Sequence, residues 1–370
     1  MQVNFTNPNE LNIEETANVV ASIGNKRSVL VQGHMGSGKS SILKILAERF
    51  PDHHPVYFDC TSKDLGDIML PKIAQAGHDG TQDEYSKFVP NEELGLHLNK
   101  PIILMIDEFG KANRGVQNAL MLPILERKLA GYTMHPDSIV FLTTNKGGEG
   151  VGDLMADHHR NRIVIVQMSK GTQAEWEPWA LMNDIDPIMI QFTKQNPQVF
   201  QSYEEVEKYE DNPYIFHPQA AHESFFTHRS AEAASDILKL RDVVTRKELS
   251  SMLAGTIGQA ATNDLMAFID LADQLPSLES IKSSPQTALV PMGQNGEPNN
   301  AAICMTVYKA LQVIERDWFD EWLDYMTRLP KEAQALFVQG VLNQKHPQRA
   351  KIVLNKKFTD WCLANNYLYS

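Results

Sequence analysis

The sequence predicts an α/β fold: a five-stranded parallel sheet with helices on both faces, then a helical lid and a helical C-terminal extension. Three observations predict it. A glycine-rich run, Gly33-His34-Met35-Gly36-Ser37-Gly38-Lys39-Ser40, sits between an apolar stretch and a helical one. Five short, mostly apolar runs alternate with helical patterns over residues 1–170, as strands covered on both faces do. From residue 171 onward the apolar spacing is mostly helical.

The first strand is Ser28-Val29-Leu30-Val31-Gln32, and Ser41 to Phe50 reads as an amphipathic helix. The run between them fits G-x-x-x-x-G-K-[ST] at every fixed position. In that strand–loop–helix setting the backbone N–H groups from Gly33 to Gly38 point inward at a phosphate. The helix beginning at Ser41 adds its partial positive charge. Lys39 then reaches the β- and γ-phosphates of ATP, and the Ser40 hydroxyl ligates Mg²⁺. A glycine-rich turn that binds nothing is the alternative. It leaves the match at every fixed position, and on both flanks, without a cause.

Pro55-Val56-Tyr57-Phe58-Asp59 supplies the next strand, and Pro101 to Ile106 runs straight into Asp107-Glu108. Asp107 is placed to hold the Mg²⁺ shell, and Glu108 to polarise the attacking water as general base. A solvated strand end also explains an acidic pair. The spacing of about 70 residues after the loop favours the paired reading, because one or two crossovers fit between parallel strands. Ser138 to Asn145 forms a further strand. Asn145 either touches the γ-phosphate and its water or caps a turn before Lys146-Gly147-Gly148. The last strand, Arg162 to Met168, follows His158-His159-Arg160-Asn161. A cation there marks a solvated helix end or presents an arginine to a phosphate in a neighbouring subunit.

Together these pieces resemble the AAA+ ATPases, specifically the MoxR-like branch related to dynein and midasin, over roughly residues 25–275. Asp107-Glu108-Phe109-Gly110-Lys111-Ala112-Asn113 through Gln117-Asn118-Ala119-Leu120 resembles the family's acidic segment, with Gly110 and Lys111 departing from it. Glu126 to Pro136 resembles the β-hairpin before the sensor strand, and Thr61 to Phe88 the branch's insert in the second helix. Asn145 matches the first sensor. The resemblance implies a trans-acting arginine finger at Arg162 or Arg160. It also implies a lid arginine at Arg229, within Phe226-Thr227-His228-Arg229-Ser230-Ala231, where His228 replaces a proline.

Composition bounds the rest. At 370 residues the chain exceeds one compact core. The segments expected are an α/β core over 1–170, a helical lid over 171–275, a linker over 276–300 and an extension over 301–370. With 34 basic against 46 acidic side chains the net charge is −12, ill suited to gripping a phosphate backbone. Three cysteines, Cys60, Cys304 and Cys362, are widely spaced and outline neither a zinc site nor a disulfide framework. With no apolar run of about 18 residues and no charged-then-apolar leader, a cytoplasmic protein is expected. The adjacent pairs His53-His54 and His158-His159 point apart on any regular element and do not share a metal. In the tail, Trp318, Trp322 and Tyr325 share one helical face, either core or docking surface.

The function implied is an ATPase of MoxR type with Mg²⁺, assembled as a ring, as a hexamer in the family. It would remodel a protein partner, for which a von Willebrand factor A domain protein is a family precedent. A nucleic-acid motor for replication, packaging or restriction is the rival reading. Its sequence basis is one adjacent cation pair, Arg127-Lys128, in the hairpin.

Overall fold

The computed structural model of the chain describes residues 9–78, 81–146, 161–220, 224–272, 275–293 and 296–365. Two compact units divide at Gly171–Thr172. Residues 147–160, with Arg160 and the His158-His159 pair, lie outside the described residues.

The first unit is built on a parallel sheet, β1 (Glu10–Leu11), β2 (Val29–Gly33), β3 (His54–Asp59), β6 (Ile102–Asp107), β9 (Ile139–Asn145) and β10 (Val164–Met168), in the order β1-β10-β2-β9-β6-β3. This is the parallel α/β arrangement that the sequence predicts, with β1 as a sixth, two-residue edge strand beyond the five expected. The strands read as continuous apolar runs because both faces are buried. Helices α1 (Ile13–Ile23) and α2 (Ser41–Arg49) pack Val20, Ile42 and Leu46 against Val31, Met105 and Phe141. On the other face α3 (Arg114–Glu126) packs Val116, Leu120 and Ile124 against Leu104, Ile106 and Leu142. Asn12 and Asn113 cap α1 and α3, each accepting an otherwise unpaired N–H of the first turn.

Between β3 and β6, where the insert is expected, lie β4 (Met69–His78) and β5 (Thr81–Pro90), an antiparallel pair of ten residues per strand. Asp79-Gly80, in the sequence between them, is a strong hairpin signal. The hairpin expected before the sensor strand is present as β7 (Lys128–Leu129) and β8 (Tyr132–Thr133). Arg127 turns inward from it, donating to Ser28 Oγ (2.6 Å), Ile124 O (2.7 Å) and Gly24 O (2.9 Å). It thus ties the end of α3 to α1 and to the residue before β2.

The second unit is helical. It comprises α4 (Gln173–Met182), α5 (Pro187–Gln195), α6 (His228–Leu238), α7 (Arg246–Ile257), α8 (Gln259–Ala272), α9 (Leu278–Ser283), α10 (Asn300–Val313), α11 (Phe319–Met326), α12 (Lys331–Leu342), α13 (Arg349–Ile352) and α14 (Lys356–Ala364). One hydrophobic core runs from Trp176 to Phe358 and includes Ile281 and Ala288. Described residues of the segments expected as lid, linker and extension all contribute to this core. Burial of α10 explains this: Ile303, Met305, Val307, Tyr308 and Leu311 are all enclosed, each apolar side chain contributing about 1.5–3 kcal/mol. Gly340 of α12 lets that helix press on α10, since a Cβ there would stand 2.6 Å from Leu311 Cδ1. Trp318, Trp322 and Tyr325 are buried, so their stripe is core. Tyr308 OH donates to Glu177 Oε1 (2.7 Å), and Lys194 Nζ reaches both (3.0 and 2.8 Å), pinning α10 to α4 and α5. Burial and the Glu177 charge push the Tyr308 phenol far above its usual range.

Candidate nucleotide site

Parallel register places the ends of the central strands together. Gly33 at the end of β2 pairs with Asn145 on one side and Met168 on the other, while Asp59 pairs with Asp107. The loop leaving β2 turns through Gly36 and Gly38 at φ 66° and 88°, a left-handed region open to glycine and strained for other residues. His34, Ser37 and Lys39 are buried in it, Met35 is partly buried, and Ser41 is exposed at the start of α2. No side chain caps that helix, whose N-terminus faces the loop.

Lys39 Nζ donates to Gly33 O (3.0 Å), His34 O (2.8 Å) and Asn145 Oδ1 (2.7 Å). Lys39 and Asn145, 106 residues apart, thus meet directly. Asn145 is 1% exposed, and its Oδ1 accepts from Lys39.

The Asp107 carboxylate is held from several sides. Oδ1 accepts from Thr143 Oγ1 and from the Glu108 N–H (3.1 Å), and Oδ2 from Tyr57 OH (2.9 Å) and Ser40 Oγ (3.4 Å). Ser40 and Asp107, the two expected metal ligands, therefore face each other. Glu108 follows in a left-handed conformation (φ 53°), which turns its side chain away from the strand's alternation. Lys111 Nζ lies 3.1 Å from Glu108 Oε2. Gln117, in the segment resembling the family's, donates to Phe109 O (3.2 Å) and Ala112 O (3.1 Å) and so braces the turn after Glu108. Beside this edge, burial and the Asp59 and Asp107 charges push the Cys60 thiol up to about 12, leaving it an unreactive thiol.

The two arginines belong to other elements. Arg162 is exposed before β10, at the amino edge of the sheet. Six residues of parallel strand at about 3.3 Å each put roughly 20 Å between it and the loop edge. It does not reach the loop of its own chain. Arg229 is exposed in the first turn of α6 in the second unit, where Thr227 and Ser230 form the capping box that starts the helix. His228, in place of the proline, stacks on Phe200 with centroids 4.1 Å apart.

Thr143, Tyr57 and Lys111 were not marked as site residues by sequence reasoning. A polar residue following four apolar ones in a strand (Thr143), and a position three after Glu108 (Lys111), are the signals that would find two of them. Tyr57 has no local signal, because its partner is set by strand register.

Residues here fit a nucleoside triphosphate with a divalent cation. Ser37 Oγ is buried without a hydrogen-bond partner among the described residues, inside the loop where phosphate oxygens would accept from it. The pairing of one hydroxyl and one carboxylate suits Mg²⁺, which keeps waters and phosphate oxygens for its other positions. Among the described residues no cluster of three His, Cys, Asp or Glu is placed to bind a metal by itself, and no helix is long and apolar enough to cross a membrane.

No protein-family model and no curated protein matches the chain. Among solved structures it is similar to the RuvB Holliday junction branch migration motor of Thermotoga maritima, at 12% identity over 71% of this chain and 73% of that one, TM-score 0.35. It is also similar to NtrX from Brucella abortus in complex with ADP, at 13% identity over 96% of this chain and 67% of that one, TM-score 0.32. These are loose likenesses of chain path, and the reading of the site rests on its own geometry.

Proposed function

We propose that the chain binds ATP with Mg²⁺ and hydrolyses it, working as a MoxR-type AAA+ ring that remodels a protein partner. The observation that carries this reading is the convergence of Lys39, Ser40, Asp107, Glu108 and Asn145 at one sheet edge. The loop from Gly33 to Ser41 would cradle the phosphates, with Lys39 on the β- and γ-groups. Ser40 and Asp107 would hold Mg²⁺, which neutralises phosphate charge when bound. Glu108 would take the proton of the attacking water, and Asn145 would place that water against the γ-phosphate.

A guanidinium suits the spread charge of a phosphoryl group in transfer. Arg162, or Arg160 beyond the described residues, would supply it to the neighbouring copy's site. The amino-edge position of Arg162 supports action on a neighbour. Arg229 would couple the second unit to the nucleotide. A von Willebrand factor A domain protein is the partner class we favour. The inward turn of Arg127 supports a protein partner over nucleic acid, since it leaves Lys128 as the exposed cation of its hairpin.

Glu108→Gln tests the reading. The variant is expected to bind ATP as the wild type does and to release phosphate at least about a hundredfold more slowly. Undiminished turnover would remove Glu108 from its role, and a wild type that binds no ATP would overturn the reading altogether.

A further inference from the structure

We propose that Tyr57 is a positioning residue for Asp107, and that the Mg²⁺ dependence of nucleotide binding rests on its hydroxyl. The inference deepens the nucleotide reading above and depends on it. β3 is an edge strand of the sheet, at the end opposite β1, paired on one side with β6. In that register Tyr57 lies opposite Met105 and Asp59 opposite Asp107. Side chains two apart share a face, so Tyr57 stands on the same face as Asp107, one pair back. Its hydroxyl crosses that step and donates to Asp107 Oδ2 at 2.9 Å.

Oδ2 is the oxygen that also faces Ser40 Oγ, at 3.4 Å. Oδ1 is already occupied by Thr143 Oγ1 and the Glu108 N–H. The torsion that spins an aspartate carboxylate is broad and nearly two-fold, so packing alone does not fix which oxygen points where. Thr143 from β9 and Tyr57 from β3 fix it from opposite sides, leaving Oδ2 beside Ser40. Without the phenol, that oxygen keeps, among the described residues, only the long contact to Ser40.

A purely structural role fits the exposure poorly. Tyr57 is 51% exposed, so its ring adds little to the core, yet its hydroxyl reaches a carboxylate that is 7% exposed. The hydroxyl is the part of the side chain engaged with the interior. Groups that orient a metal-ligating carboxylate commonly change metal affinity by about tenfold or more when removed.

Tyr57→Phe keeps the ring and deletes the hydroxyl. The measurement is binding of a fluorescent ADP analogue in EDTA and across a series of buffered free Mg²⁺, with the unfolding midpoint recorded without nucleotide. The expected result is wild-type affinity in EDTA, an unchanged midpoint, and about a tenfold rise in the Mg²⁺ concentration giving half of the Mg²⁺-dependent tightening. A Mg²⁺ curve that overlays the wild type overturns the proposal. So does an equal loss of affinity in EDTA and in Mg²⁺, which is the pattern expected of Lys39→Ala, a failure of the loop itself. A wild type that binds no nucleotide in either condition overturns the nucleotide reading, and the role of Tyr57 with it.

Discussion

Asn145 shows how one side chain connects two strand ends. It ends β9 beside Gly33, and its Oδ1 accepts from Lys39 Nζ at 2.7 Å. A lysine bound on three sides is held ready for phosphate without a search through rotamers. Two residues earlier on the same strand, Thr143 accepts from the Glu108 N–H, which Asp107 also engages. Replacing Asn145 with Ala removes one acceptor of three from Lys39 and any grip on the attacking water. On the proposed reading, ATP affinity should fall only a few-fold while the maximal rate falls at least about tenfold. Equilibrium binding beside steady-state hydrolysis separates the two. Equal losses in both would make Asn145 a support for the loop and not a sensor. Lys111 is a second local feature: it pairs with Glu108 at 3.1 Å from a half-open position. Such a pair contributes little energy at the surface and chiefly restrains where the carboxylate points.

At the scale of elements, what the sequence reveals depends on how local the cause is. The loop, its flanks and the carboxyl ends of the strands were legible because each rests on consecutive residues with a fixed pattern. Thr143 and Tyr57 were not, since their partner Asp107 lies 36 and 50 residues away and is reached only through strand register. β1 has two residues and no periodicity to show. Residues 276–300 read as a linker by composition, yet Ile281 and Ala288 suffice to anchor them in the helical core. The segment after α12 gives a pH test of that packing. Buried His346 accepts from the Gln348 N–H at Nδ1 (3.2 Å) and lies 3.0 Å from Leu311 O at Nε2, joining the chain before α13 to α10. With one nitrogen accepting and the other donating, the ring is neutral, and burial holds its pKa below the usual 6.5. The unfolded chain therefore takes up this proton first as pH falls, so the stability present above 6.5 is lost below it. Thermal unfolding at pH 7.5 and 5.5 should show a larger loss for the wild type than for His346→Gln. Equal losses would mean that the acid sensitivity lies elsewhere.

For the whole molecule, the decisive fact is that Arg162 and the loop occupy opposite edges of one sheet. Parallel strands carry every carboxyl end to the same side, so a residue preceding β10 is held away from its own chain's glycine-rich loop however the loops move. On the proposed reading the site is then complete only when a second copy brings its arginine, and hydrolysis follows assembly. ATPase rate per protomer should climb with protein concentration and level off as rings form. Arg162→Ala should keep ATP binding and ring formation while losing most of the plateau rate, because such arginines contribute about 10³–10⁵ where they act. A substantial rate that does not vary with concentration, in samples that light scattering finds monomeric, would mean that each chain hydrolyses ATP unaided. An Arg162→Ala variant with an unchanged plateau would leave the ring intact and pass the role to Arg160.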